Sequence, residues 1–320
     1  MWTITKRDIL KLAGVTTAVA ALPAALRAEG GQSSAHDGVL PFALTTPMHV
    51  DQVSIRVIDL PMMTEYYVRL LALDIMETES DRSVLGAGGV PLLTLRRAEG
   101  IVREDPSSAG LYHVAYLMPS REDLARWLVH AAMIRVPLDG FADHSVSEAI
   151  YLTDPEGNGI EVYSDRPRNS WVWNDGVVTM GTKALDLDGI VALADVTRDT
   201  YETVPGNLRI GHIHLRVGDV ARAEEFYGGV IGLQPTRKGR EDAAFYSSGG
   251  YHHHVAMNAW QSRGAGTRTE AATGLEWFSM KTDAGNLASL RSKVPSGLTE
   301  ISAGVSLFDP WGTEIRLVQV

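Results

Sequence analysis

The sequence predicts an α+β protein built from four similar units, each a strand, a helix and three further strands (βαβββ). Four segments with alternating apolar residues, at 50–58, 111–118, 210–218 and 275–281, open the units. Each is followed by an Asp or Ser that can head a helix, and then by short strands with Gly-containing turns. Two units also share an Asp-Pro-x-Gly turn, in which Pro fixes φ and Gly takes a positive φ.

In chain order, the first unit runs from the strand at 50–58 through Asp59 into a helix at 62–71. In the second, Ser120 caps a helix at 121–132, with Asp123 at its third position. This unit closes on the hairpin Thr153-Asp154-Pro155-Glu156-Gly157-Asn158-Gly159 and a strand carrying Glu161. The third places Asp219 before a helix at 221–230 and ends in Tyr251-His252-His253-His254-Val255-Ala256-Met257, read as a strand. The fourth places Asp283 before a helix at 285–293, then Phe308-Asp309-Pro310-Trp311-Gly312-Thr313 and a strand carrying Glu314, read as the counterpart of Glu161. The first and third units agree most closely: Val53-Ser54-Ile55-Arg56-Val57 matches Ile213-His214-Leu215-Arg216-Val217.

The ends and joints differ in composition. Residues 1–28 read as an export leader: Lys6 and Arg7 are basic, a short apolar stretch follows, and Ala28 is a small residue before the expected cut. Thr5-Lys6-Arg7-Asp8 resembles a twin-arginine signal with lysine for the first arginine, which predicts a periplasmic protein, or a cytoplasmic one if the signal is silent. The apolar run is too short for a membrane span and is broken by Pro23. Residues 29–48 form a lead-in. A two-domain division then places units one and two at 49–166, a linker at 167–208, and units three and four at 209–320.

A chain of 320 residues that is 45% hydrophobic and 21% charged can bury cores of ordinary size. A net charge of −10, which becomes −13 without the four basic residues and one acidic residue of 1–28, argues against nucleic acid or anionic membrane as partners. The absence of cysteine removes disulfides, zinc–thiolate sites and iron–sulfur clusters, and suits an oxidising compartment.

The candidate chemistry lies in histidines. His113 and His212 occupy the same place in their opening strands, where the first unit has Gln52 and the fourth Trp277. A lone strand histidine is more often a core residue; a second at the same repeat position is not explained that way. Glu161 shares a strand face with Gly159 and Tyr163, opposite Ile160 and Val162. Two imidazoles and one carboxylate form the ligand set of a non-haem iron(II) site with open positions, and manganese(II) accepts the same set.

The βαβββ pattern, Gly110-Leu111-Tyr112-His113, Asp143-His144 through Tyr151, the hairpin ending in Glu161, and Gly249-Gly250-Tyr251-His252-His253-His254 together resemble the vicinal oxygen chelate superfamily, and most of all its catechol 2,3-dioxygenases. The resemblance covers residues 48–320. It implies units paired into two cupped mixed β-sheets that enclose a metal held by His113, Glu161 and His212. It implies an acid–base histidine at His253, with His252 as the alternative one residue away, an active-site tyrosine at Tyr151, and His144 near a further family histidine. A small aromatic diol and O₂ would be the substrates, and a homo-oligomer is compatible with the sequence. A glyoxalase-like lyase or isomerase, or a protein that only binds a metal or an aromatic compound, remains an alternative. With two ligands in the second unit and one in the third, convergence on one ion requires those two units to face each other.

Overall fold

The computed structural model describes residues 39–320; the expected leader and most of the lead-in lie outside the described residues. The same order of elements occurs four times. The first unit contains β1 (Met48–Val57), the helix Leu60–Leu71, β2 (Asp74–Thr78), β3 (Arg82–Ala87) and β4 (Val90–Arg97). The second contains β5 (Gly110–Leu117), the helix Arg121–Met133, β6 (Gly140–Asp143), β7 (Ser147–Thr153) and β8 (Gly159–Asp165). A connector follows, with the short pair β9 (Trp173–Asn174) and β10 (Val177–Val178) and the helix Leu187–Val191. The third unit contains β11 (Arg209–Arg216), the helix Val220–Glu224, β12 (Gln234–Pro235), β13 (Ala243–Ser247) and β14 (Val255–Asn258). The fourth contains β15 (Gly274–Thr282), the helix Ala284–Lys293, β16 (Thr299–Ile301), β17 (Gly304–Phe308) and β18 (Glu314–Gln319).

Each unit's helix starts on the same device, a side-chain oxygen that accepts the backbone N–H three residues on. Asp59 accepts from Met62, Ser120 from Asp123, Asp219 from Arg222 and Asp283 from Asn286, at 2.8–3.0 Å. Such a cap stabilises a helix start by about 1 kcal/mol. The third helix departs from the regular span expected at 221–230: it widens into a π-helical turn over Glu225–Val230. Gly228 and Gly229 fall there, and glycine resists the regular α-helix least when it is distorted.

The strands form two mixed eight-stranded sheets, ordered β16-β17-β18-β15-β1-β4-β3-β2 and β12-β13-β14-β11-β5-β8-β7-β6. In the first, β1 and β15 join units one and four; in the second, β11 and β5 join units three and two. Each of the stretches 49–166 and 209–320 therefore contributes one unit to each sheet, and His113, Glu161 and His212 fall on a single sheet. Two equivalent bonds tie the sheets together: Tyr67 Oη donates to Asp154 at 2.9 Å and Tyr227 Oη donates to Asp309 at 3.1 Å. Glu156 adds a third tie by accepting the backbone N–H groups of Ile58 and Asp59.

One face of the second sheet, with Val114, Tyr116, Ile160, Val162 and Ile213, belongs to the main core. The opposite face is closed at one end by a smaller cluster. There Ala115, Leu117 and Tyr163 of the sheet meet Tyr251 and the connector residues Trp171 and Val178. Among the described residues no helix is long and apolar enough to cross a membrane.

Candidate metal centre

The register of the second sheet assembles the site. His212 on β11 lies opposite Ala115 on β5, Ala115 lies beside Glu161 on β8, and Glu161 lies opposite Tyr151 on β7. In a neighbouring row His214 lies opposite His113. Period-two alternation thus puts all five polar side chains on one face, with only the Ala115 methyl between His212 and Glu161. Two glycines make the close approach possible. A Cβ on Gly159 would stand 2.0 Å from the Tyr112 carbonyl oxygen, and one on Gly211 would stand 1.8 Å from the Tyr163 hydroxyl.

His113, Glu161 and His212 are all buried, and their ligand atoms lie within 4.8 Å of one another. Glu161 Oε2 stands 2.9 Å from His113 Nε2 and 3.2 Å from His212 Nε2. Ligand atoms about 2.1 Å from one ion and at right angles to each other are about 3 Å apart, so these separations suit a common divalent ion. His113 Nε2 is buried and, despite its closeness to Glu161, makes no aligned hydrogen bond, so its lone pair is available to a metal. Burial opposes ionisation of Glu161, but His212 and His113 outweigh it and hold the carboxyl well below the usual range. Burial pushes His212 down to about 4 against the pull of Glu161. A neutral imidazole and an ionised carboxylate are the forms that bind metal. The residues present fit a divalent metal with open positions.

The triad forms part of the wall of a cavity of about 630 Å³, within the usual range for small-molecule sites. Phe141, Tyr112, Phe245 and Trp260 supply aromatic walls. Tyr151 sits beside Glu161; burial first, then that carboxylate, raises its phenol well above the ordinary value and keeps it protonated. His144, in the turn between β6 and β7, lies 2.6 Å from Tyr151 Oη through Nε2 and 2.7 Å from the Gly181 carbonyl through Nδ1. A carbonyl only accepts, so Nδ1 carries the proton and a neutral His144 accepts from the tyrosine.

His253 also lines the cavity, its ring 4.1 Å from that of His212. The three histidines at 252–254 were expected to alternate on a strand, but β14 begins only at Val255. Released from strand geometry, His252 and His253 turn toward each other, with their Nδ1 atoms 2.8 Å apart. His252, the alternative acid–base candidate, lies behind His253, fully buried, with Nε2 2.9 Å from Asp165 Oδ1. The reading of Glu314 as the counterpart of Glu161 is also corrected. Asp154 and Asp309 make the same turn, bonding through N–H to the carbonyls of Asn158 and Thr313. Counting from those aspartates, Arg316 takes the place of Glu161, and Glu314 forms an ion pair with it at 2.8 Å.

Sequence reading passed over three residues of this region: His214, Asn258 and Asp165. The signal for His214 was its position two residues after His212 on the same strand face; Asp165 likewise shares a face with Glu161 and Tyr163.

A family model, the glyoxalase/bleomycin resistance protein/dioxygenase superfamily, matches residues 49–162 and 209–317. The chain is similar to a catechol-2,3-dioxygenase of Bacillus subtilis (strain 168), with 35% identity over 240 residues, which covers 72% of this chain and 82% of the relative. Among solved structures it is similar in fold to a Bacillus subtilis protein provisionally named a dioxygenase (TM-score 0.59, 12% identity, 86% of each chain). It is also similar to glyoxalase I from Zea mays (TM-score 0.52, 13% identity, 87% of this chain and 94% of that one). With its two mixed sheets of βαβββ units, the chain belongs to the glyoxalase/bleomycin resistance protein/dioxygenase superfamily and has the vicinal oxygen chelate fold.

Proposed function

We propose that this protein is an extradiol ring-cleavage dioxygenase that acts on a catechol-type diol with O₂, with iron(II) held by His113, His212 and Glu161. The observation that carries the reading is a two-histidine, one-carboxylate cluster on the wall of an aromatic-lined cavity. The relative's name supports it. A metal bound there supplies open positions for both vicinal oxygens and for O₂, and a path for electron density from ring to oxygen. Manganese(II) suits the same three ligands.

The chain's own residues account for binding and proton handling. Phe141, Tyr112, Phe245 and Trp260 can flank a planar ring and exclude water. His253, which lines the cavity beside His212, would take a phenolic proton at Nε2, and imidazole suits both removal and return of a proton near neutrality. Tyr151, held by His144, can hydrogen-bond an oxygen beside Glu161. Two imidazoles and one carboxylate favour this chemistry over glyoxalase-type isomerisation, which uses two carboxylates.

Anaerobically iron-loaded protein mixed with catechol and then O₂ should consume oxygen and give a yellow ring-opened product. Turnover of a thiohemiacetal without oxygen uptake would establish the lyase or isomerase alternative instead. Export of the mature chain from 29 onward belongs to the same reading, since a folded metalloprotein suits a twin-arginine-like route. The N-terminal mass of protein from the periplasm tests it.

A further inference from the structure

Two imidazoles lie beside the triad, His253 next to His212 and His214 next to His113, and each is gripped by a different hydrogen-bond chain. His253 Nδ1 lies 2.8 Å from His252 Nδ1, and His252 Nε2 lies 2.9 Å from Asp165 Oδ1. A carboxylate only accepts, so His252 Nε2 carries a proton; a neutral His252 then accepts at Nδ1, and His253 donates from its own Nδ1. His253 is left with a lone pair on Nε2, which has no protein partner among the described residues, and its ring borders the cavity.

At His214 the chain has the opposite sense. The Trp260 backbone N–H donates to Asn258 Oδ1 at 3.2 Å, which fixes the amide so that Nδ2 faces His214. Asn258 Nδ2 donates to His214 Nε2 at 2.9 Å. A neutral His214 that accepts at Nε2 carries its proton on Nδ1. That N–H has no protein partner among the described residues, and His214 borders the cavity with its ring 4.9 Å from that of His113.

We propose that Asp165 (through His252) and Asn258 are positioning residues that hold His253 and His214 in opposed roles, His253 presenting a lone pair to the cavity and His214 presenting an N–H. His214 becomes a second catalytic imidazole. A substrate hydroxyl gives its proton to His253 Nε2, breaking O–H and forming N–H, while the N–H of His214 stabilises an oxygen that carries negative charge. No proton leaves His214 in this step. The roles rest on the ring-cleavage reading, whereas the tautomers do not. A comparable carboxylate–imidazole chain fixes the tautomer of the base in serine proteases, and its amide variant fails because the tautomer is wrong.

Long-range ¹H–¹⁵N correlation spectra of ¹⁵N-histidine-labelled protein loaded with zinc(II), a diamagnetic probe, read each tautomer directly, with assignments from His253→Gln and His214→Gln. Wild-type protein should show Nδ1–H for both His253 and His214. Asn258→Asp, which puts an acceptor in place of the donor, should move the His214 proton to Nε2, and Asp165→Asn should release the His253 preference. In iron-loaded enzyme each positioning variant should lower kcat by about ten- to a hundredfold, with KM little changed. Nε2–H on His253 in the wild type, or an unmoved His214 proton in Asn258→Asp, overturns the proposal. The wild-type spectrum decides it even if a variant fails to fold. Correct tautomers without ring cleavage would instead remove the functional reading and leave the assignment standing.

Discussion

The two sheets are built on one plan, and they treat the same three positions differently. In the sheet of units two and three these positions hold His113, His212 and Glu161. Strand and turn register place Trp277, Gln52 and Arg316 there in the sheet of units one and four. The Arg316 guanidinium lies 4.1 Å from the centre of the Trp277 ring and pairs with Glu314. The Gln52 backbone N–H donates to the hydroxyl of Ser279, which occupies the place of Ala115. One cup therefore holds a cluster that could bind a cation from outside, and the other carries its own guanidinium. The same fold thus carries a candidate metal cluster in one cup and a cation–π contact in the other, and the difference lies in the side chains.

The largest expected effect separates the cups outright. His113→Ala, His212→Ala and Glu161→Ala should each abolish metal retention, measured by metal analysis after gel filtration. Trp277→Ala, Arg316→Ala and Glu314→Ala should keep it. Metal lost from Arg316→Ala but kept by Glu161→Ala would assign the site to the wrong cup.

Next in size is His253→Phe, which removes proton handling without touching a ligand. Iron should remain bound while kcat falls by roughly two to four powers of ten. Full activity in this variant would remove His253 from proton handling.

A smaller effect tests how alike the units are where no chemistry is at stake. Tyr67→Phe leaves Asp154 Oδ2 with the Asn158 amide at 2.8 Å, so the loss should be about 1 kcal/mol in urea denaturation. Thr313 stands where Asn158 would be and offers no such amide, so Tyr227→Phe should cost more, about 2 kcal/mol. Equal costs would show that the remaining turn N–H groups satisfy both aspartates alone.

A pH slope tests the same aspartate. Burial raises Asp154 to about 6, against the hydrogen bonds of Asn158, Tyr67 and Glu156. A carboxyl raised in the folded state binds its proton more tightly there than when unfolded. Its contribution is therefore greatest at low pH and declines as pH rises from about 4 to about 6. Compared with Asp154→Asn, the wild type should lose stability over that window; a parallel pair of curves would contradict the assignment.

Most of this architecture was legible in the chain because it rests on local rules. Helix caps three residues apart, Asp-Pro-x-Gly turns and alternating strands are written into adjacent residues, and the candidate ligands follow from alternation, the repeat position and the family resemblance. The pairing of units two and three followed from chemistry, since three ligands must reach one ion. Contacts set by tertiary packing were not legible. His252 and His253 left the expected strand because Asp165, 87 residues earlier in the chain, draws His252 away from the cavity. Glu314 was misread because Trp311 replaces Glu156 in a turn of the same length, and the carboxylate two residues early imitates a ligand. His214 was passed over because its partner Asn258 lies on a different strand, out of reach of local sequence rules.

The most direct test is an anomalous-scattering map at the iron edge from crystals of anaerobically iron-loaded protein. One peak per chain is expected, bounded by His113 Nε2, His212 Nε2 and Glu161, with nothing beside Trp277 and Arg316. A peak in the sheet of units one and four, or an empty triad at saturating iron, would contradict it.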